Sequence, residues 1–323
     1  MPTYTKLTAM GQYVPGRVVD NDELAAIMDT SDEWIQAHTG IKTRHYAMND
    51  ENTSDLATQV AQQLLQKSGL AASAIDLILV TTITPDALTP ATACLVQANI
   101  GADNAFAFDL SAACAGFTFG LATADKFIRS GQYQNVMVIS AEVNSKMMDF
   151  QDRTAAVFFG DGAGGALLQA TDNPDENSLI AEKLESQGNA TVIHSGRVRP
   201  ITEVAATNYP LTDAFHQVGR DVFQFATTVV PEQMRGLIAS AQLTPSDLQY
   251  VICHQANLRI IEKIAANLAL PMTKFPHNVD HYGNTSSAGV AMALANVFDT
   301  LTGPVLLTAF GGGLAYGSVL IKK

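Results

Sequence analysis

Along the chain, short apolar runs of strand length alternate with stretches whose apolar positions recur at helical spacing. In Ser54–Lys67, Leu56, Val60 and Leu64 fall on one helical face, and Thr53 or Ser54 stands where an N-cap belongs. Ile75–Ile83 is a β-rich apolar run closed by Pro85, and Ala91–Asn99 again reads as helix. Ala105–Leu110 and Val136–Ala141 read as buried strands on either side of a helix over Ala115–Ser130, which Gly131 ends. The second half repeats this grammar with helices over Asp221–Gln242, Asn257–Leu268 and Ser286–Asp299, and strands over Tyr250–Cys253, Val305–Phe310 and Tyr316–Ile321. Continuous apolar strands alternating with helices predict an α/β fold whose sheets are parallel and covered on both faces. FFGDGAGGALL near Ala155–Gln169 and AFGGGLAYGSVLI near the C-terminus share a rhythm, as two related halves would, and both Gly runs read as hairpin turns. The halves divide as 1–170 and 171–323. The polar stretch Ala170–Gln217 reads as a loop-rich connection.

Composition narrows the function classes. Of 323 residues, 47% are hydrophobic and 15% charged, which excludes intrinsic disorder. With 19 Lys+Arg against 31 Asp+Glu the net charge is −12, and no basic stripe offers itself to nucleic acid or to an anionic membrane. The apolar excess predicts that further surface is buried in a homo-oligomer. Cys94, Cys114 and Cys253 are odd in number and widely spaced, without zinc-site or disulfide-framework spacing, so a reducing cytoplasm without structural metal is expected. Met1 to Asp20 has no charged segment followed by an apolar one, so no secretory leader is read. Gly303–Ile321 runs 19 residues without a charge but holds five glycines and a proline, which suits two strands meeting at a Gly turn better than a membrane span.

Three residues stand out chemically. Cys114, in DLSAACAGFTFG, lies between a predicted strand and a small-residue helix, where the positive helix end would favour the thiolate. Cys94 falls mid-helix and Cys253 at a strand end, and both read as core. His254 opens HQANLR at a strand-to-helix edge, and Asn284 sits in HYGNTSSAG, a Gly-flanked turn ahead of a helix. Taken singly, a core histidine and a turn asparagine explain them as well as a cleft does. GDGAGG (Gly160–Gly165) is not followed by the helix and downstream acidic residue of a dinucleotide site, and GGGLAYG is followed by a strand, so neither is read as a nucleotide loop.

Taken together, DLSAACAGF, HQANLR 140 residues beyond Cys114 and GNTSSA 30 residues beyond His254 closely resemble the β-ketoacyl-ACP synthase III family of thiolase-fold condensing enzymes. TSDEWI (Thr30–Ile35), TGI (Thr39–Ile41), DRTAAVFFGDGAGGALL (Asp152–Leu168) and AFGGGLAYGS (Ala309–Ser318) extend the likeness in the same order, and Ala170–Gln217 matches least. The resemblance implies two similar βαβ-rich halves in an α-β-α-β-α arrangement. It implies Cys114 as the nucleophile that takes an acyl group from acyl-CoA, and His254 with Asn284 as the pair that binds malonyl-ACP while it loses CO2. Backbone N–H groups of Cys114 and Gly312 would form the oxyanion hole. Trp34, Arg153, Gly219, Phe223 and Asn257 would hold CoA or pantetheine, Thr89 would line the acyl pocket, and Arg259, aided by Lys263, would meet the acidic carrier protein. No metal or other cofactor is implied.

Two positions depart from the family pattern. His38 stands where an arginine often sandwiches the adenine, and Thr89 stands where a bulky aromatic often closes the acyl pocket, sometimes from the other subunit. They keep open a relative of secondary metabolism that uses another acceptor. A catalytically silent carrier- or CoA-binding scaffold is a third reading, disfavoured by the complete Cys114, His254 and Asn284 set.

Overall fold

The computed structural model describes residues 3–48, 50–195 and 215–323. The first half opens with β1 (Tyr4–Tyr13), β2 (Arg17–Asp20), α1 (Asn21–Ala25), α2 (Asp32–Thr39) and β3 (Thr43–Tyr46). It continues with α3 (Thr53–Ser68), β4 (Leu77–Thr81), α4 (Thr92–Ile100), β5 (Phe106–Leu110), α5 (Gly116–Arg129), β6 (Asn135–Glu142) and β7 (Gly162–Thr171). The second half holds β8 (Leu179–Asn189), β9 (Ile193–His194), β10 (His216–Gln217), α6 (Gly219–Ser240) and β11 (Tyr250–Cys253). Then come α7 (Leu258–Leu268), α8 (Val279–Tyr282), α9 (Ala288–Val297), β12 (Val305–Gly311) and β13 (Gly313–Ile321).

Local sequence explains the boundaries. At the start of α3, Asn52 and Asp55 form a reciprocal capping box, and Ser31 accepts the Trp34 N–H at the start of α2. All five residues of β4 are buried, as a strand covered on both faces requires. Its sheet runs β1-β7-β6-β4-β5, with β4, β5 and β6 parallel and β7 and β1 returning antiparallel; the second sheet runs β11-β12-β13-β8, with β11 and β12 parallel. β8, β13, β12 and β11 thus repeat the order of β1, β7, β6 and β4, and no strand among the described residues repeats β5.

Three buried clusters fill the layers. One, under α3 and α4, covers the outer face of the first sheet, and another, under α6 and α7, covers the outer face of the second. The middle cluster joins Phe117 and Leu121 of α5 and Val290 and Leu294 of α9 to Leu77 and Val138 of one sheet and Leu307 and Val319 of the other. α9 belongs to the second half by sequence yet packs mainly on β7, so the halves share one core. This is the expected α-β-α-β-α arrangement of the thiolase fold.

Three expectations change. The sheets are mixed rather than wholly parallel, because β7 and β13 each turn back antiparallel beside the preceding parallel strand. The stretch read as loop, Ala170–Gln217, contains the eleven-residue strand β8; its exposed and half-exposed polar positions hide the strand because it lies at a sheet edge. Residues 196–214 of that stretch lie outside the described residues. The GDGAGG run is not a hairpin turn either. Gly164 and Gly165 sit inside β7, where a Cβ on Gly164 would come 2.8 Å from the Met292 backbone nitrogen of α9, and one on Gly165 would come 2.8 Å from the Val138 carbonyl oxygen. The AFGGGLAYGS run does form the turn expected of it, between β12 and β13. No helix among the described residues is long and apolar enough to cross a membrane.

Gly164→Ala is expected to lower the free energy of unfolding by about 1–3 kcal/mol, because the added methyl meets backbone that cannot yield. Urea unfolding monitored by circular dichroism measures this, and an unchanged midpoint would show that α9 can shift on the sheet.

Candidate active site

Cys114 follows β5 in a single 3-10 turn, Ala113–Ala115, that leads directly into α5. Ala113 holds a left-handed φ of 48°, a conformation that costs a non-glycine residue about 1–3 kcal/mol and persists only where its surroundings impose it. Those surroundings include β12, where a Cβ on Gly311 would lie 2.6 Å from the Cys114 backbone nitrogen. Only glycine lets the two chains approach so closely. Gly312, next along, stands beside Ala113, 3.5 Å from that side chain to its own missing Cβ.

Cys114 is 7% exposed, and this burial opposes the thiolate that the helix terminus favours. It pushes the thiol up to about 12, and the charge of Glu142 adds to the effect, while a hydrogen bond from Ser286 acts the other way. Burial thus favours the protonated thiol over the thiolate at Cys114.

Asn284 lies between α8 and α9 and is locked by its backbone. Its N–H donates to the Phe158 carbonyl at 2.7 Å, and its carbonyl accepts from Gly160 N–H at 3.1 Å. Asn284 Oδ1 accepts the Ser286 N–H at 2.9 Å, which leaves the Nδ2 amide as its free donor. Ser286 is a second left-handed residue, with φ 52°, and its hydroxyl lies 3.3 Å from Cys114 Sγ. The starts of α5 and α9 touch: a Cβ on Gly116 would be 2.9 Å from the Thr81 side chain and 3.0 Å from that of Ser287.

Sequence reasoning missed Glu142, the last residue of β6. It is wholly buried; its carboxylate accepts from the hydroxyls of Thr82, Thr84 and Ser287 and from Ile83 N–H, and the Ser286 hydroxyl, which also faces Cys114 Sγ, lies 3.2 Å from Oε1. Burial pushes its pKa up against the pull of these donors. The available signal was a carboxylate ending an otherwise apolar strand, VMVISAE, where a charge needs several partners to be tolerated.

His254 comes immediately after β11 and is 2% exposed. Its ring meets Phe310 edge-on, with centroids 5.0 Å apart, so β12 supports His254 with one residue and clears space for Cys114 with the next. Burial pushes the imidazole down to about 3, which keeps it neutral at ordinary pH. Nδ1 is buried without a hydrogen-bond partner. A lone-pair nitrogen bears that better than an N–H would, which favours the tautomer with its proton on Nε2.

A cleft lined by Phe158, Gly219, Phe223 and Asn257 reaches Asn284, bringing together four residues singled out from sequence. Trp34 lies on α2, with the Arg153 guanidinium 5.5 Å from its ring centroid and His38 stacked on it at 4.4 Å. Asn257 caps α7, its Oδ1 accepting Arg259 N–H while its Nδ2 donates to the His38 carbonyl. Arg259 donates to the Gln36 and Ala37 carbonyls at the end of α2 and pairs with Glu262, so α7 and α2 are tied together. That employment inside the chain leaves Arg259 a weak basic island, and Lys263 beside it is exposed. Thr89 lies on the exposed turn 87–90, and among the described residues no hydrogen bond or ring contact links it to Cys114. Cys253 is buried, and Cys94 is half-buried with its Sγ donating to the Ala107 carbonyl. Among the described residues no group of three or more His, Cys, Asp or Glu could hold a metal ion.

Comparison with known proteins gives a consistent likeness. The profiles for 3-oxoacyl-acyl-carrier-protein synthase III and its C-terminal region match residues 108–188 and 238–323. The chain is 99% identical, over the full length of both, to a β-ketoacyl-acyl-carrier-protein synthase III of Lactiplantibacillus plantarum. It is 45% identical to a β-ketoacyl-acyl-carrier-protein synthase III of Streptococcus agalactiae serotype III, over 99% of each chain. The crystal structure of 3-oxoacyl-acyl-carrier-protein synthase III from Aquifex aeolicus superposes with a TM-score of 0.90 at 37% identity, covering 99% of this chain and 100% of that one.

Gly311→Ala is expected to slow modification of Cys114 by an acyl thioester about 10²-fold, because a displacement near 1 Å of the reacting group has that order of effect. Intact-mass time courses measure it; a wild-type rate would mean that β12 and the 113–115 turn can separate without consequence.

Proposed function

The chain belongs to the β-ketoacyl-ACP synthase III family, and from this premise we propose that Cys114, His254 and Asn284 divide its reaction between them. The enzyme is an acyltransferase that carries out the condensation initiating fatty-acid synthesis. Cys114 takes the acyl group of acyl-CoA as a thioester and releases CoA. The carbonyl of malonyl-ACP then lies against the Nε2–H of His254 and the Nδ2–H of Asn284. These donors stabilise the oxygen that becomes negative as CO2 leaves. The resulting enolate attacks the acyl-cysteine, and backbone N–H groups of Cys114 and Gly312 hold the tetrahedral oxyanion. Collapse expels the Cys114 sulfur and yields 3-oxoacyl-ACP.

One observation carries this assignment. Ser286 fixes Asn284 Oδ1 with its N–H while its hydroxyl touches Cys114 Sγ, so the amide donor and the nucleophile share one small rigid link. The neutral His254 suits the same role, since a buried imidazolium would repel no oxyanion but could not be maintained. Nothing in this chemistry calls for a metal or redox cofactor.

Around the centre, Gly219, Phe223 and Asn257 line the route for pantetheine, and Trp34 with Arg153 receives the nucleotide end of CoA. His38 already stacks on Trp34, which supports its standing in for the usual arginine as a flat partner. Arg259 and Lys263 offer the carrier protein its basic contact, with the positioning of α2 as the first task of Arg259.

Homodimerisation is part of the same proposal. Among the described residues β5 is an unpaired sheet edge, and Phe106, 38% exposed, packs there with Phe108, Phe127 and Tyr133 in an aromatic patch. Such an edge is a template for a second copy. Leu88, 87% exposed beside Thr89, would then be covered, and Thr89 would serve the acyl pocket of the partner. A cytoplasmic location accords with three free cysteines.

Cys114→Ser is expected to abolish the acyl-enzyme; an acyl adduct on that variant by intact mass would overturn the assignment of the nucleophile. His254→Ala and Asn284→Ala should each still acylate but release CO2 from malonyl-ACP about 10²–10³-fold more slowly. Lost acylation with normal CO2 release would contradict their roles. Phe106→Glu should convert the dimer to monomer on size-exclusion chromatography, and an unchanged elution volume would move the interface elsewhere.

A further inference from the structure

The nucleophile is a buried thiol, and the established reaction requires it to lose a proton. His254 is joined to it by no hydrogen bond among the described residues, whereas Ser286 is. Ser286 Oγ lies 3.3 Å from Cys114 Sγ and 3.2 Å from Glu142 Oε1, so the hydroxyl bridges sulfur and carboxylate. It has one proton and cannot donate to both. With Ser286 donating to Glu142, its lone pair is free to accept the S–H of Cys114. The opposite order, Glu142 to Ser286 to sulfur, uses the same heavy-atom positions.

Neither end of this bridge is an accident of a loose surface. Cys114, Glu142, Ser286 and Ser287 are all buried, and Ser286 is held in a left-handed backbone conformation that a serine adopts only under constraint. The rest of Glu142 is anchored: Oε2 accepts from Thr82, Ile83 and Thr84, and Oε1 from Ser287 at 2.8 Å. A carboxylate in apolar surroundings needs such donors to remain ionised while waiting for a proton.

We infer that Ser286 and Glu142 form a proton relay that takes the thiol proton of Cys114 during acyl transfer. The inference rests on Cys114 being the nucleophile. As sulfur bonds the acyl carbon, the S–H bond breaks and its proton passes to Ser286 Oγ, while the Ser286 proton passes to Glu142. The thioester C–S bond then breaks, and CoA leaves as a thiolate. The proton held by Glu142 returns by the same path to neutralise the departing sulfur, so a thiol and a thioester yield a thioester and a thiol with nothing added.

The relay has a signature opposite to that of a bystander charge. The Glu142 carboxylate by itself opposes formation of a nearby thiolate, so an enzyme in which it acts only as a charge would acylate faster once it became neutral. A proton acceptor gives the reverse. In Glu142→Gln the amide oxygen can replace Oε2 toward the fixed Ile83 N–H. The NH2 group then faces Ser286 and Ser287, whose hydroxyls can rotate to accept. The fold is kept and the acceptor at Ser286 is lost. Ser286→Ala removes the bridge itself but keeps the N–H that holds Asn284.

The experiment uses the full-length enzyme and acetyl-CoA, with acyl-enzyme formation followed by quenched intact-mass spectrometry. Both variants are expected to acylate about 10²-fold more slowly or worse, the lower range of general acid–base catalysis. CO2 release in a single turnover with malonyl-ACP, begun from enzyme acylated to completion, should stay within about threefold of wild type, because sulfur takes no part in that step. Wild-type or faster acylation by Glu142→Gln would overturn the relay. So would equal losses in both half-reactions, the mark of a damaged site. Failure of the wild type to acylate at Cys114 would instead overturn the assignment of the nucleophile.

Discussion

The structure depends on one packing constraint, the contact between the first turns of α5 and α9 in the layer between two sheets. Gly116 on one helix admits the Thr81 and Ser287 side chains at distances that any Cβ would forbid. Gly164 in β7 lets α9 lie directly on the first sheet. With the helices so placed, the residues just ahead of them, Cys114 and the Asn284–Ser287 turn, meet without further adjustment. The left-handed backbone at Ala113 and Ser286 is where the strain of that meeting is stored.

The dryness created by this packing determines the chemistry. Desolvation pushes the Cys114 thiol up and the His254 imidazole down, so both lean toward neutrality, while the Glu142 carboxyl, also pushed up by burial, is pulled back toward its ionised form by its hydrogen-bond donors. A neutral histidine is an N–H donor, which is what an enolate oxygen needs. A neutral thiol is a poor nucleophile, which is why the deprotonation route matters and why a buried carboxylate one hydroxyl away has significance. The positive end of α5 acts on the same sulfur, but it acts against burial and against the charge of Glu142.

Much of this was legible in the sequence. Buried strands such as β4 and amphipathic helices such as α3 announce themselves because each is defined by its own side-chain period. Cys114 and His254 could be singled out because each sits at a strand-to-helix junction, and Asn284 because it sits in a Gly-flanked turn ahead of a helix; the alternation gave the α/β class, and the α-β-α-β-α order came from the resemblance to the condensing enzymes. β8 escaped because an edge strand with many polar positions has no apolar signature. Gly164 and Gly165 were mistaken for a turn because a glycine needed for close approach looks, in sequence, like one needed for backbone freedom.

By itself, then, the order of residues determined the elements, the two-half architecture and which side chains carry reactive groups. Those properties arise from neighbours along the chain. Only the tertiary structure decided which partner each polar group has. Arg259 turned out to bind the end of α2, Asn257 to cap α7 and reach His38, and Glu142 to sit one hydroxyl behind Cys114. It also decided that burial weighs against the thiolate at Cys114. Hydrogen bonding and desolvation depend on distances of a few ångströms between segments more than a hundred residues apart, and no local pattern encodes them.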